Sequence, residues 1–519
     1  GAVCGIGHTR WATHGAPTEA NAHPHSSRRL TLVHNGIIEN CEELRRELIA
    51  DGYTFISETD TECIAHLIDR EYARLRDPAT AIYAAMSRLR GAFAIAVLFL
   101  DRADEVYTVR RGSPLILAMG EDGGYLASDI PAILPHTRDI LRPEEDAVFC
   151  LCRDAIYEIS PDGKKVKRET ERCNLSAGAA DMGTYPCFML KEINEQPDAV
   201  RRVCARRTGA DGLPDFTADG VPEAMFSDVD GVQIIACGSA THAGLVGRRL
   251  IERLAGIPVT VTPASEYRYD PPAFSGRVIA VPVSQSGETA DTLAALRLSR
   301  ELGLDSIAIV NAEGSAIARE ADYVLYTGAG PEIAVATTKG YTTQVALLCM
   351  LAVKLALARG RISADGARWL CRTLISDVPA AITSVIGKQD EIRAAAKLIG
   401  DRSNVFFIGR GPDCQAAYEC SLKLKEISYI HSEAYPAGEL KHGTLALIEE
   451  GTPVIALATC RDYYDKTVGN IREVRARGGM VILVCGEDFS DAESLGDFVF
   501  RVPAGSDILS PFVTVLFSQ

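Results

Sequence analysis

The sequence predicts an α/β protein, with a layered α+β domain at its N-terminal end followed by two doubly wound parallel sheets. Three observations predict this. The first third carries short β-branched or apolar runs at 31–34, 92–100, 105–109, 115–118 and 147–151, separated by Gly, Asp and Pro, with helical spacing at 41–51 and 61–75. From 232 onward the pattern changes to strand, loop, helix, repeated, with strands expected at 232–238, 259–262, 278–283, 306–310 and 323–326. A helical stretch at 342–357 then leads to a second series, at 405–411, 454–458, 480–484 and 498–502, that echoes the first. In both, an apolar strand ends in a glycine, Gly238 or Gly411, and a Ser/Glu/Ala/Tyr segment follows a helix later, at 264–267 or 432–435.

Between these regions the chain turns polar from 154 to about 184, around Pro161-Asp-Gly163 and the basic cluster 164–167, and a charged helical connector follows at 191–207. The expected boundaries are 1–175 for the first domain, 176–222 for a linker, and 223–365 and 366–519 for the two sheet domains.

Bulk composition narrows the function class. The 519 residues are 47% hydrophobic and 24% charged, with a formal net charge of −15. An acidic chain repels nucleic acid and anionic lipid, so neither is expected as a partner. The fifteen cysteines are scattered, with only Cys150 and Cys152 close together, and reduced thiols are the simplest account. No apolar span of roughly 18 residues stands out, so neither secretion nor membrane insertion is supported and a cytoplasmic protein is expected.

The sharpest chemical signal follows the apolar run 278–283. There Ser284, Gln285, Ser286, Gly287, Glu288 and Thr289 lead into a helix-patterned segment, 290–302. Three hydroxyls, one amide and the free N–H groups of a helix start would converge on an anion such as a phosphate. Capping alone would need one hydroxyl. No Gly-x-x-x-x-Gly-Lys loop occurs, which argues against a nucleoside triphosphate.

A second constellation places Glu419, Lys423 and Glu426 at helical i, i+4, i+7 spacing, shortly before Glu439-Leu-Lys-His442. A solvated salt-bridge stripe is the commoner fate of such spacing. Leu422, Leu424 and Ile427 are expected to bury the rest of that helix, which would leave carboxylate, ammonium and imidazole for proton shuttling beside a sugar carbonyl.

Near the N-terminus stand Arg10, Trp11, Thr13 and His14, then His23 and His25, then Asn35-Gly36, and Asp60. Arg10 and Asp60 could clamp the carboxylate and ammonium of an amino acid. Asn35-Gly36 could form a type I′ turn, or aim an amide and an N–H at an oxyanion. The company of His14, His23 and His25 is Arg, Thr and Asn rather than Asp, Glu or Cys, so no metal is expected.

Taken together, these motifs resemble the glucosamine-6-phosphate synthase family, from His8 to about Phe512. The resemblance implies an N-terminal-nucleophile glutaminase domain, lacking its first strands, joined to two sugar isomerase domains, with ammonia passed from glutamine to fructose 6-phosphate. It implies glutamine binding by Arg10, Thr13, His14 and Asp60, a channel gate at Trp11, and an oxyanion hole at Asn35 and Gly36. Ser284, Gln285, Ser286 and Thr289 match the sugar-phosphate loop, with Ser239, Val335 and Thr337 as further sugar contacts. Glu426 would move a proton between C1 and C2, His442 would open the ring, and Lys423 would assist near the carbonyl. No organic cofactor or metal is implied, and a homodimer is expected by analogy.

Two departures stand out. Ala240 replaces a family hydroxyl, leaving Ser239 alone. The chain also starts at Gly1 and stops at Gln519, before the positions expected for the family's N-terminal cysteine and its C-terminal lysine, so a fragment truncated at both ends is expected. Cys4 is expected to be an ordinary strand-end residue. A sugar-phosphate-binding fragment without turnover is the alternative.

Overall fold

The computed structural model describes residues 3–10, 14–173, 181–400 and 402–519. The chain divides into two compact units, Gly1–Asp181 and Met182–Gln519.

In the first unit a seven-stranded antiparallel sheet is built around Leu30–Gly36, Phe93–Phe99 and Val106–Arg111. Strict alternation explains why it is covered on both faces. Phe93, Ile95, Val97 and Phe99 pack against Ile64, Leu67 and Ile68 of the helix Asp60–Leu75. Ala94, Ala96 and Leu98 point the other way, towards Leu115 and Leu117. Leu117 belongs to a four-stranded sheet of Glu171–Arg172, Asp139–Leu141, Ile116–Met119 and Gly124–Ala127. The polar stretch after 154 begins as sheet. Ile156–Ile159 and Lys165–Arg168 form the edge of the larger sheet, where exposed lysines guard unpaired backbone, and Pro161-Asp-Gly163 is the hairpin turn between them. Cys4 lies outside any strand and half-buried, its thiol donating to the Ala103 carbonyl (2.8 Å).

The second unit contains two five-stranded parallel sheets of the same connectivity, each ordered second, first, third, fourth, fifth strand. The first sheet comprises Val259–Pro263, Gly231–Ala236, Val278–Ser284, Asp305–Val310 and Tyr323–Tyr326. The second comprises His431–Pro436, Asn404–Gly409, Pro453–Ala458, Met480–Gly486 and Phe498–Val502. Their central strands are buried end to end, as the unbroken apolar runs predict.

The helix Lys339–Ala358 packs against the helices Ser239–Ala255 and Phe188–Ala205. One continuous core runs from Val200 through both sheets to Phe517. The Lys339 helix and Ala364–Ile386 are long and apolar enough to cross a membrane, which corrects the reading that no such span exists. A helix apolar on all sides needs a nonpolar surrounding, and here 89% of the Lys339 helix's apolar window is buried inside the protein.

Candidate functional site

In the first unit, Asn35 and Gly36 are not a turn. They end the strand Leu30–Gly36, in register with Ala94 and Phe93. Gly36 has φ 136°, and a Cβ there would lie 2.1 Å from the Ala92 carbonyl oxygen, so the close strand crossing requires glycine. Asp60, buried in the first turn of its helix, accepts from the backbone N–H of Ile38 (2.8 Å), which ties the helix start to the end of the Asn35-Gly36 strand. Thr59 caps that helix by accepting from the N–H of Glu62.

A cavity of about 270 Å³ opens here, lined by Arg10, His14, Asn35, Gly36, Asp60 and neighbouring histidines. Trp11 and Thr13 lie outside the described residues. Arg10 is folded back on its own loop, its guanidinium donating to the carbonyls of His14 (2.6 Å), Gly15 (3.0 Å) and Ala16 (3.2 Å). Thr61 holds two imidazoles, His34 at 3.0 Å and His23 at 3.2 Å. Burial pushes His23 down to about 3, with the neighbouring His8, His25, His34 and Arg10 adding to it, and burial also lowers His34 and His25. Burial therefore favours the neutral ring at His23 and His34 in the cavity wall.

In the second unit the Ser284–Thr289 loop joins the strand Val278–Ser284 to the helix Ala290–Glu301. Ser284 is buried, and its Oγ accepts from the N–H of Gly287 (3.0 Å) and lies 3.0 Å from the Thr289 hydroxyl. Thr289 sits at the N-cap, yet its side chain makes no capping bond. Ser286 is exposed, its Oγ accepting from the Glu288 N–H (3.2 Å), and Gln285 is half-buried. The hydroxyls thus gather at the helix start without being consumed in capping, an arrangement suited to an anion.

The Glu419 stripe is buried rather than solvated. The side chains of Glu419 and Lys423 are 0% and 1% exposed, and the Lys423 ammonium lies 3.3 Å from Glu419 and 2.5 Å from Glu426, itself partly exposed. Glu419 also accepts from the Ser239 hydroxyl (2.8 Å) and contacts His242 Nδ1 (2.8 Å). Ile427, expected to be buried, is 52% exposed. His442 ends the turn Ala437–His442, is exposed, and is not part of this hydrogen-bonded group.

Val335 is exposed, while the Thr337 hydroxyl donates to Glu332 (2.6 Å). Sequence reasoning missed what fixes this loop. Glu332 accepts from the N–H groups of Thr338 (2.7 Å) and Gly340 (3.0 Å), and buried Glu192 accepts from those of Ile333 (2.6 Å) and Ala334 (3.2 Å). Burial raises the Glu192 carboxyl despite these bonds. Their 8- and 141-residue separations carry no local sequence signal.

Fold and site together define an amidotransferase-type domain joined to paired sugar-phosphate isomerase-type sheets. Residues 8–135 match the glutamine amidotransferase domain family, and 225–354 and 398–519 match the SIS domain family. A glutamine–fructose-6-phosphate aminotransferase (isomerizing) of Symbiobacterium thermophilum is 48% identical, over 99% of this chain and 85% of that protein. The enzyme of the same name from Clostridium tetani is 44% identical, over 99% and 84%. Among solved structures, the C-terminal domain of glucosamine-fructose-6-phosphate aminotransferase from Francisella tularensis is 36% identical with a TM-score of 0.62, covering 65% of this chain and 94% of that one. The chain belongs to the glutamine–fructose-6-phosphate aminotransferase (isomerizing) family.

Proposed function

We propose that the protein makes glucosamine 6-phosphate and glutamate from fructose 6-phosphate and glutamine. The observation that carries this reading is the Ser239–Glu419–Lys423–Glu426 chain, buried from Ser239 to Lys423, in the same unit as a hydroxyl loop free of capping duty. Arg10, Trp11, Thr13, His14 and Asp60 would bind glutamine, and Asn35 with the Gly36 N–H would stabilise the oxyanion formed as the amide is attacked. Ammonia released there would condense with the C2 carbonyl of the sugar and expel water.

Ser284, Gln285, Ser286 and Thr289 would hold the phosphate, and Ser239, Val335 and Thr337 the sugar. The remaining step moves one proton from C1 to C2: C1 is oxidised to the aldehyde level and C2 reduced to the amine, so the balance needs no external oxidant. Glu426 would carry that proton, and its 2.5 Å contact with the Lys423 ammonium supports this by holding the carboxylate in one position. His442 would open the ring. The same reading divides the chain at 1–175, 176–222, 223–365 and 366–519, and takes a cytoplasmic homodimer from the family.

Calorimetry with fructose 6-phosphate tests the site, with ammonia-dependent synthesis measured alongside. Ser284→Ala with Thr289→Ala should weaken binding at least tenfold, about 1.4 kcal/mol. Unchanged binding in a folded double variant would remove the phosphate assignment. Glu426→Gln should bind sugar normally and lose synthesis, whereas normal synthesis would remove its proton-transfer role.

A further inference from the structure

The two sheets of the second unit are equivalent down to single residues. Strands Gly231–Ala236 and Asn404–Gly409 hold the same place in their sheets. Each is followed by a glycine of nearly the same dihedral angles, Gly238 at φ 55°, ψ −131° and Gly411 at φ 58°, ψ −128°. A helix begins at the next residue, Ser239 or Pro412, and its second residue is Ala240 in one and Asp413 in the other. The third strand runs parallel beside the first in both, so the start of each helix faces the loop after that third strand.

In the first sheet that loop is the Ser284–Thr289 cradle, and Ala240 contributes only a methyl group. In the second sheet the loop is Thr459-Cys460, and it closes around Asp413. The Thr459 N–H (2.8 Å) and Cys460 N–H (3.3 Å) donate to Oδ2, and the hydroxyls of Thr459 (2.6 Å) and Ser510 (2.5 Å) donate to Oδ1. Asp413 is 1% exposed, and among the described residues no lysine or arginine pairs with it. An ordinary first-turn aspartate is solvated and faces its own helix N–H groups. This one is buried and takes its donors from a different strand end and a different helix, as a bound phosphate would.

We propose that the second sheet retains a cradle for a phosphomonoester-type anion, and that the chain fills it permanently with the Asp413 carboxylate. The protein then has one open sugar-phosphate cradle per chain, although the fold builds two. The comparison rests on the phosphate reading of the Ser284 loop, but the second cradle can be tested without it.

The probe is inorganic phosphate, titrated calorimetrically into the Ser284→Ala/Thr289→Ala protein and into the same protein carrying Asp413→Ala or Asp413→Asn. Asp413→Ala should gain one bound phosphate per chain and a phosphate-dependent rise in Tm. Asp413→Asn, whose amide still occupies the cradle, should gain neither. A folded Asp413→Ala protein that binds no additional phosphate overturns the proposal, as does equal gain in both variants. Should Asp413→Ala not fold in chloride buffer, refolding from urea at matched ionic strength decides: a fold regained only in phosphate supports the internal anion, and failure in both overturns it. Absence of phosphate binding to the starting protein with intact Ser284 and Thr289 would count against the Ser284 loop alone.

Discussion

The hydroxyl of Ser239, the first residue of its helix, donates to Glu419 Oε1 across 2.8 Å and 180 residues of sequence. Because Glu419 also holds Lys423, one buried carboxylate fixes a group on the first sheet's helix and the ammonium that contacts Glu426 on the second's. Glu419→Ala should cost about 3–5 kcal/mol, since it strips Lys423 of one of two counter-charges while leaving the ammonium buried. Glu419→Gln should cost less and still lower synthesis, because the amide accepts from Ser239 without holding the ammonium. Urea unfolding at constant m and ammonia-dependent turnover are the measurements. An unchanged midpoint for the alanine variant would contradict the bridging role.

The imidazoles of the first unit give a pH dependence of defined sign. His23 titrates near 3 when folded, against 6.5 for an unperturbed ring. Above about 6.5 both states are neutral there and the full stability is present. As pH falls from 6.5 towards 3 the unfolded chain binds a proton that the folded one refuses, so stability is lost across that window. The melting temperature of the first unit should drop with acid in that range, and His23→Asn should flatten the slope. Equal slopes would place the acid sensitivity elsewhere.

The candidate sites were legible in the sequence to different degrees. The Ser284 loop could be placed because an apolar run, hydroxyls and a helix pattern are contiguous. The Glu419–Lys423–Glu426 spacing was visible too, but its burial was not, because that depends on Ser239 and His242 arriving from another sheet. The Asn35-Gly36 pair has two local readings, and only its register opposite Phe93 and Ala94 excludes the turn. The edge strand Lys165–Arg168 was lost to its own charge, since lysines that protect an edge also imitate a domain boundary.

Glu332 is expected to set sugar affinity and leave glutamine binding unchanged. It accepts from Thr337 Oγ1 and from two backbone N–H groups, so Glu332→Gln turns one accepting oxygen into an amide donor facing donors. Fructose 6-phosphate binding should weaken roughly tenfold, about 1.4 kcal/mol, with glutamine binding unchanged. Calorimetry with each substrate separates these. A variant that loses stability yet binds the sugar normally would make Glu332 a purely structural brace.

Gly238 and Gly411 share a backbone conformation but not their surroundings, which separates strain from clash. Alanine at either position is forced into a φ/ψ region reserved for glycine, at a cost of about 1–3 kcal/mol. At Gly238 nothing lies within 4 Å of the added methyl, so strain is the whole penalty. At Gly411 the methyl would come 2.7 Å from the ring of Tyr463, whose hydroxyl is held by Arg249 at 2.8 Å, so the ring cannot swing away freely. Overpacking there adds about 1–3 kcal/mol. Gly411→Ala should therefore be the less stable protein in urea, while Gly238→Ala, beside Ser239, should show the larger loss of fructose 6-phosphate affinity. Equal stabilities would mean that Tyr463 yields, and equal affinities would mean that the first glycine serves the fold and not the sugar.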